Sequence, residues 1–452
     1  MINTLYLPEL REMLEVGDGD GLHEFCTALH PARTAEFMEG LTAAETWAVL
    51  QFADPATRVE IFGYLEHEKQ IESIETCDAE GVSQLIADMP SDDRVDLMNE
   101  VDEEVARALM LLLPPDKRRD ILRLQAYPEG TAGALMTTQV ARLPESLTVR
   151  TALDQLSRMA EDLETIYYIY IVDDNNHLRG AISARQLLTH LNKPNLPITE
   201  LMERNLVTVE VTDDQESVAA KVADYDFLAI PVVDHEQHLV GIITHDDIID
   251  VLQQEATEDA YLAGAVGPIE DGYMSVPWFE FMRHRAVWLA VLFGGAMLTI
   301  LALRSYGAVL DEVAWLVLFI PLVVSSGGNS GSQSATLIIR ALTTKEITPA
   351  SWWDVVWREL SIGSMLGVFL GAIGYVIGLF IAPSPVAALV LPITIILVVT
   401  CGTLLGSMLP LLFARLGWDP ALMSTPFVAC IIDIVGILVY MNVALAMLFL
   451  MG

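Results

Sequence analysis

Ser325-Ser326-Gly327-Gly328-Asn329-Ser330-Gly331-Ser332-Gln333 interrupts an apolar run at about 313 to 339. These nine small or polar residues offer too little apolar surface to face lipid and too many glycines for a tight, regular helix. Irregular backbone at membrane depth is tolerated where it lines a cavity or is buried in protein. Asn329 and Gln333, four apart, would present amide oxygens from one helical face. Such oxygens suit the water shell of a hard cation, since Mg²⁺ dehydrates reluctantly. A Gly-rich hinge with satisfied polar side chains is the alternative.

Further spans flank this stretch. Ala286 to Tyr306 is long enough to cross a bilayer, at roughly 31 Å as a helix. Three more candidates lie at about 360 to 382, 390 to 414 and 424 to 451. The basic flank Arg283-His284-Arg285, the loop with Arg340, Lys345 and Arg358, and Arg415 all fall on one side, opposite the uncharged Ala382-Pro383-Ser384-Pro385. The positive-inside rule then gives five spans, with the N-terminus in the cytoplasm and the C-terminus outside. Gly363, Gly367, Gly371, Gly374 and Gly378 form a small-residue stripe on the third span, read as ordinary helix packing.

Within the last span, Asp433 sits between Ile431-Ile432 and Ile434-Val435. A carboxylate at that depth costs on the order of 3 kcal/mol to insert, so it must face a wet cavity, a partner or a bound ion. A protonated or Asn-paired structural aspartate is the competing reading. Asp419, in Gly417-Trp418-Asp419-Pro420, precedes the same span and can cap a helix or attract cations at the cytoplasmic mouth. No second ionisable residue stands out deep within the spans, which leans against proton coupling.

Charge is distributed unevenly. The chain of 452 residues carries −36 overall, yet the part from Ala286 onward has five basic and seven acidic residues, so −34 falls on the first 285 residues. Such a surface repels nucleic acid and anionic lipid and attracts cations, although a highly soluble acidic surface of halophilic type has the same composition. The four cysteines lack metal-ligand spacing and read as small buried hydrophobes in a reducing compartment. Met1-Ile2-Asn3-Thr4-Leu5 has no basic region before an apolar core, which argues against a secretory signal.

The acidic part has three sections. Residues 1–130 hold helix-start signals at His30-Pro31, Asp54-Pro55, Met89-Pro90 and Pro114-Pro115, each followed by an amphipathic run, predicting an α-solenoid of irregular repeats. Over 131–252 a sharper repeat begins at Leu135-Met136 and again at Leu201-Met202. It ends in Asp173-Asp174-Asn175-Asn176-His177 and Asp234-His235-Glu236-Gln237-His238 turns between β-branched runs. This looks like a tandem pair of α/β CBS modules. Residues 245–275 read as an acidic helix leading to the all-α membrane domain of five helices at 280–452.

Taken together, the Pro321 to Gln333 stretch, Asp419-Pro420-Ala421, Pro426, and Asp433 with Gly436 and Tyr440 resemble the MgtE-type magnesium transporters, as does the domain order. The resemblance implies a homodimer in the inner membrane whose fifth helices line a central pore. There Asp433 and the backbone carbonyl of Ala429 hold a hydrated Mg²⁺. It further implies that the acidic helix is a plug, and that internal Mg²⁺ bridges acidic faces to lock the closed state. The matching carboxylates are Asp92, Asp93 and Asp96 in the solenoid, Asp214, Glu216, Asp226, Asp247 and Asp250 in the second CBS module, and Glu255, Glu258 and Asp259 on the plug. CBS pairs often bind adenine nucleotides, which makes one a candidate ligand here. The first module differs from the second in its Tyr167-Tyr168-Ile169-Tyr170 run.

Two other classes compete. A non-conducting sensor of Mg²⁺ or nucleotide would act on a partner protein and would not need Asp433. An intramembrane enzyme lacks support, because the spans contain no H-E-x-x-H pair and no activated nucleophile. Selectivity among Mg²⁺, Mn²⁺ and Co²⁺ is not written in an oxygen-rich site.

Overall fold

The computed structural model describes residues 5–160, 163–267, 269, 273, 276–423 and 425–451. The chain divides into two compact units, Met1–Leu252 and Gln253–Gly452.

The first unit opens with ten short helices: α1 (Leu7–Val16), α2 (Gly19–Ala28), α3 (Pro31–Met38), α4 (Ala43–Leu50), α5 (Pro55–Gly63), α6 (His67–Thr76), α7 (Ala79–Asp88), α8 (Ser91–Glu100), α9 (Glu103–Leu112) and α10 (Pro115–Leu124). The expectation of irregular repeats is corrected here: from α3 to α10 every helix begins 12 residues after the one before. Pro31, Pro55 and Pro115 occupy first helical positions, where the missing N–H costs nothing. Helices two apart in sequence pack together, α3 on α5, α5 on α7 and α7 on α9, building a stack around Met38, Leu50, Ile61, Phe62 and Ile86.

One device recurs through this stack. Arg58 donates to the Leu50 carbonyl at 2.9 Å, Gln70 to Phe62 at 2.9 Å, Arg94 to Ile86 at 2.8 Å and Arg118 to Leu113 at 3.0 Å. Each side chain is the fourth residue of its helix and reaches back to the carbonyls that end the preceding helix. Those carbonyls have no intrahelical donor, so the contact satisfies them and fixes the turn.

Two three-stranded sheets follow. In each, the first strand pairs parallel with the second and the second antiparallel with the third: β1 (Val140–Pro144), β2 (Thr165–Val172) and β3 (Leu178–Ser183), then β4 (Val209–Glu210), β5 (Ala229–Val233) and β6 (Leu239–Thr244). Helices α11 (Ala132–Leu135), α12 (Val149–Met159), α13 (Ala184–Thr189) and α14 (Gln215–Tyr225) connect them, and α15 (His245–Ala263) leaves the second sheet. The modules interlock: Thr137 bridges Ile242 of the second, and Glu203 bridges Ala181 of the first. At the hairpin turns, Asp173 and Asp234 hold the rings of His177 and His238, which stack 4.6 Å apart.

The acidic helix is shorter than its expected span of 245–275. It ends at Ala263, before Gly264 and the left-handed Ala265 (φ 56°). Residues 268, 270–272, 274 and 275 of that span lie outside the described residues. In the second unit, five helices among the described residues are long and apolar enough to cross a membrane. The first, Trp278–Ser305, begins eight residues earlier than expected; the third, Trp352–Ile381, also begins eight earlier. The fourth and fifth are Val390–Leu416 and Thr425–Met451.

The second span departs most from expectation. After a short 3-10 segment, Ala314–Phe319, a continuous α-helix runs from Ile320 to Thr343, straight through the glycines. They permit close approach rather than break the helix. A Cβ on Gly327 would lie 2.5 Å from Val398 and 2.9 Å from Ile432, and one on Gly402 of the fourth span 2.6 Å from the Gly327 carbonyl oxygen. The third-span stripe works the same way, with Gly367 against the Ile396 main chain and Gly371 against Pro392. A second ionisable group does lie inside the bundle: Glu359 of the third span is 7% exposed and accepts from Ser334 Oγ at 2.7 Å.

Because the obstacle at Gly402 is backbone, it has no rotamer by which to yield. Gly402→Ala should destabilise the membrane domain by about 1–3 kcal/mol and Gly402→Val by more. Thermal unfolding of the purified chain in detergent would show this, and a Gly402→Val variant as stable as the parent would refute the close helix contact.

Candidate functional site

Acidic residues favour the first turn of a helix, where backbone N–H groups carry partial positive charge. Asp92 and Asp93 open α8, and Asp246 and Asp247 open α15, with Asp96 and Asp250 one turn on. Asp247 also accepts from the Thr244 hydroxyl at 2.6 Å and the Thr244 N–H at 3.2 Å. The fold of the first unit brings these two helix starts into one electrostatic field and adds Glu164 from the segment before β2.

The consequences are visible in the carboxyls. Burial holds Asp92 well above the ordinary carboxylate range, and the charges of Asp247, Asp93 and Glu164 add to it. Asp92 is 8% exposed, and its Oδ1 is buried without a hydrogen-bond partner among the described residues. Burial also raises Asp93, helped by Asp246 and Asp250, and lifts Asp96 to about 6, helped by Asp93 and Glu100. Burial lifts Asp247 to about 6 against the opposing Thr244 hydrogen bonds, with Asp246 and Asp93 adding to it, and lifts Glu164 to about 7 with neighbouring carboxylates following. Among the described residues, no three His, Cys, Asp or Glu side chains converge closely enough to hold a bare ion. The arrangement suits a cation that keeps much of its water.

The other residues expected to act with this cluster are placed differently. Asp214 caps the start of α14 by accepting from the Glu216 N–H at 3.1 Å, while Asp226 ends the same helix in a left-handed conformation. These two are therefore an eleven-residue helix apart, roughly 16 Å. Glu255, Glu258 and Asp259 belong to the second unit, where burial raises the Asp259 carboxyl and Asp419, Glu255 and Glu258 push it further. Asp419 also accepts from the Ala421 N–H at 2.8 Å, which is a capping role. Sequence reading missed Glu164. Nothing around it marks it, since its partners lie more than 60 residues away along the chain.

Deep in the second unit, Asp433 and Ala429 face Gly328. A Cβ on that glycine would lie 3.6 Å from Asp433 Oδ1 and 3.7 Å from the Ala429 Cβ. Asp433 makes no hydrogen bond or ion pair among the described residues. Asn329 and Gln333 do share one face, as their spacing requires, but they line a groove of about 790 Å³ with Leu366, Phe369 and Leu370 of the third span. Asp433, Ala429 and Asp419 are not part of that lining, so one chain alone does not converge all five expected pore residues. In the CBS pair, Tyr168, Tyr170, Asn205, Val207 and Phe227 line a separate cavity of about 190 Å³.

An apolar five-helix bundle with an unpaired carboxylate in its last helix, preceded by an acidic solenoid and a CBS pair, defines a multi-pass cation-transport protein with a large cytosolic portion. Comparison with known proteins agrees. Residues 320–443 match the MgtE family described as a divalent cation transporter, 29–130 the MgtE intracellular N domain, and 132–193 and 198–254 the CBS domain. The chain is 36% identical over 439 residues to the magnesium transporter MgtE of Thermus thermophilus, covering 96% of this chain and 97% of that one. With the Bacillus subtilis magnesium transporter MgtE it shares 29% identity, over 86% and 85% of the two chains. Among solved structures, the cytosolic domain of the Mg²⁺ channel MgtE in complex with ATP is 36% identical with a TM-score of 0.50, covering 54% of this chain and 98% of that one. The soluble part of a magnesium transporter matches with a TM-score of 0.52 and 35% identity, over 55% and 97%.

The chain belongs to the MgtE family of magnesium transporters. Its N-terminal and CBS domains are the cytosolic part, and these relatives are named as transporters or channels rather than enzymes.

Raised carboxyl pKa values mean that the folded cluster binds protons more tightly than the unfolded chain does. Stability should therefore fall as the pH rises from the unfolded values near about 4 through the folded values of about 6 to 7. In EDTA, the melting temperature of the full chain should drop between about pH 5 and pH 8, and Mg²⁺ should restore more at the higher pH, where it no longer competes with protons. Glu164→Gln should shrink both effects. A profile unchanged by that substitution would remove Glu164 from the cluster.

Proposed function

We propose that two copies of this chain form a Mg²⁺ pathway across the inner membrane, closed from the cytosolic side by Mg²⁺ itself. The observation that carries this reading is the unpartnered buried oxygen of Asp92, set among Asp93, Glu164 and Asp247. A group in that position needs a proton or a cation, and a hydrated divalent ion neutralises several carboxylates at once. Because those carboxylates come from the solenoid, the first CBS module and α15, an ion there favours the arrangement that gathers them. A ligand shifts a two-state equilibrium only through such a difference in binding.

In the pathway, Asp433 is the residue that meets the ion, with Ala429 one turn earlier and Gly328 leaving the space. Asn329 and Gln333 extend the polar surface toward a second copy, which supplies the missing convergence. Asp259 and Asp419 sit close enough to repel one another, so the acidic helix and the start of the fifth span would be held together only when cytosolic cations are present. Asp92, Asp93, Asp96, Asp247 and Asp250 act with Glu164 as the regulatory set. The aromatic-walled cavity of the CBS pair is where an adenine nucleotide would stack, and a relative's cytosolic domain has been solved in complex with ATP.

Flux of Mg²⁺ into proteoliposomes tests this directly, with the cytosolic face held at low or millimolar Mg²⁺. Wild type should conduct only at low cytosolic Mg²⁺. Asp433→Asn should fall to the leak of empty liposomes, and Asp92→Asn should conduct at both concentrations. If wild type conducts under neither condition, the non-conducting sensor becomes the better reading.

A further inference from the structure

In a unit so rich in carboxylates, a cavity lined by cations calls for an explanation. Between α10 and the segment entering β1 lies a cavity of about 350 Å³, whose walls include Lys117, Arg119, Arg123, Thr138 and the carboxylates of Asp116 and Asp120. On β1, three residues beyond the lining Gln139, Arg142 is half-buried. Its guanidinium lies below its ordinary pKa, first through burial and then through the charge of Arg123, with Asp120 opposing.

Neither Arg123 nor Arg142 has a side-chain hydrogen bond or ion pair among the described residues. Asp120, which acts on Arg142, is already engaged: it accepts from the Thr138 hydroxyl at 2.7 Å and lies 3.8 Å from the fully buried Arg94. A guanidinium taken out of water without an acceptor is costly, and two that repel one another are more so. The missing component is an anion. Guanidinium forks match the paired oxygens of phosphate better than a single carboxylate oxygen, and several converging cations favour the higher charge.

We propose that this cavity binds a phosphate-class oxyanion, with Arg119 and Arg123 contacting it at the mouth and Arg142 adding positive charge from β1. Inorganic phosphate and the end of a polyphosphate chain share this chemistry. The cavity has no lining residue in common with the aromatic cleft of the CBS pair, so it is a second site and does not depend on nucleotide binding there. It lies where Thr138 holds both Asp120 and Ser91, and Ser91 is the first residue of α8, which carries Asp92 and Asp93. An anion at this junction would stiffen the seat of the acidic cluster without touching its carboxylates.

The full chain in detergent, in chloride buffer with Mg²⁺ removed, can be titrated calorimetrically with inorganic phosphate and with tripolyphosphate. Wild type should show saturable binding of at least one of them, and which one saturates distinguishes free phosphate from a polyphosphate end. Arg123→Glu, at an exposed position, should weaken that binding about tenfold or more while leaving the melting temperature near wild type. Arg119→Glu should act in the same direction, and Phe227→Ala in the aromatic cleft should change nothing. Absence of saturable binding by wild type overturns the proposal. So does binding equal to wild type in Arg123→Glu, or binding lost in Phe227→Ala, which would assign the anion to the cleft. A change in oligomeric mass of Arg123→Glu without anion binding would assign the cavity to an acidic segment of a second copy and likewise overturn it.

Discussion

Mutual repulsion among carboxylates governs the cytosolic unit, and three arginines of the solenoid do not relieve it because they are occupied elsewhere. Arg58, Arg94 and Arg118 point their guanidiniums at the carbonyl ends of neighbouring helices. There they satisfy orphan acceptors and the negative end of each helix dipole. This use holds the solenoid together, but among the described residues no basic side chain forms an ion pair with Asp92, Asp93 or Asp96. A stack built in this way is stable as an object and unstable where its acidic helix starts meet those of another element. Neutralisation must then come from solution, by proton or by cation, and the choice between them is set by pH and Mg²⁺.

Duplication of the CBS module creates two equivalent edges, and the structure uses them differently. Thr137 and Glu203 occupy matching positions, each bridging the last strand of the other module. On the first edge, Ser91 and Asp120 of the solenoid bond to Thr137 and Thr138. On the second, the chain after Glu203 instead borders the open cavity walled by Tyr168, Tyr170 and Phe227. One edge anchors the solenoid and the other stays free for a ligand. A small molecule in that cavity and a cation at the acidic cluster would thus act on opposite edges of one CBS pair, which is a physical basis for coupling the two proposed sites.

Much of this was legible in the sequence because it depends on local pattern. The two Asp-to-His turns and the five apolar runs are properties of short windows. The 12-residue period of the solenoid was not legible. Its first helical positions hold Pro31, Ala43, Pro55, His67, Ala79, Ser91, Glu103 and Pro115, residues alike only in tolerating a helix start. Glu164 was hidden for a different reason, since its burial follows from the docking of α8 against the CBS pair. Glu359 escaped notice because the third span was expected to begin one residue after it.

The glycine-rich stretch illustrates how one composition admits two structures. Read as a sequence, Ser325 to Gln333 lacks the side chains that stabilise a helix, and an irregular segment follows from propensity alone. In the bundle the cost of glycine is offset by contact. Gly327 and Gly331 meet the fourth and fifth spans on one side, while Gly328 leaves room for Asp433 on another. Polar side chains find partners without breaking the helix: Ser326 donates to the Leu322 carbonyl, Ser332 to Thr425 and Ser334 to Glu359. Asn329 and Gln333 are then left on a third face, toward the groove. A single regular helix thereby packs tightly and still presents an unobstructed carboxylate, which an irregular loop could do only by leaving more backbone groups to satisfy at membrane depth.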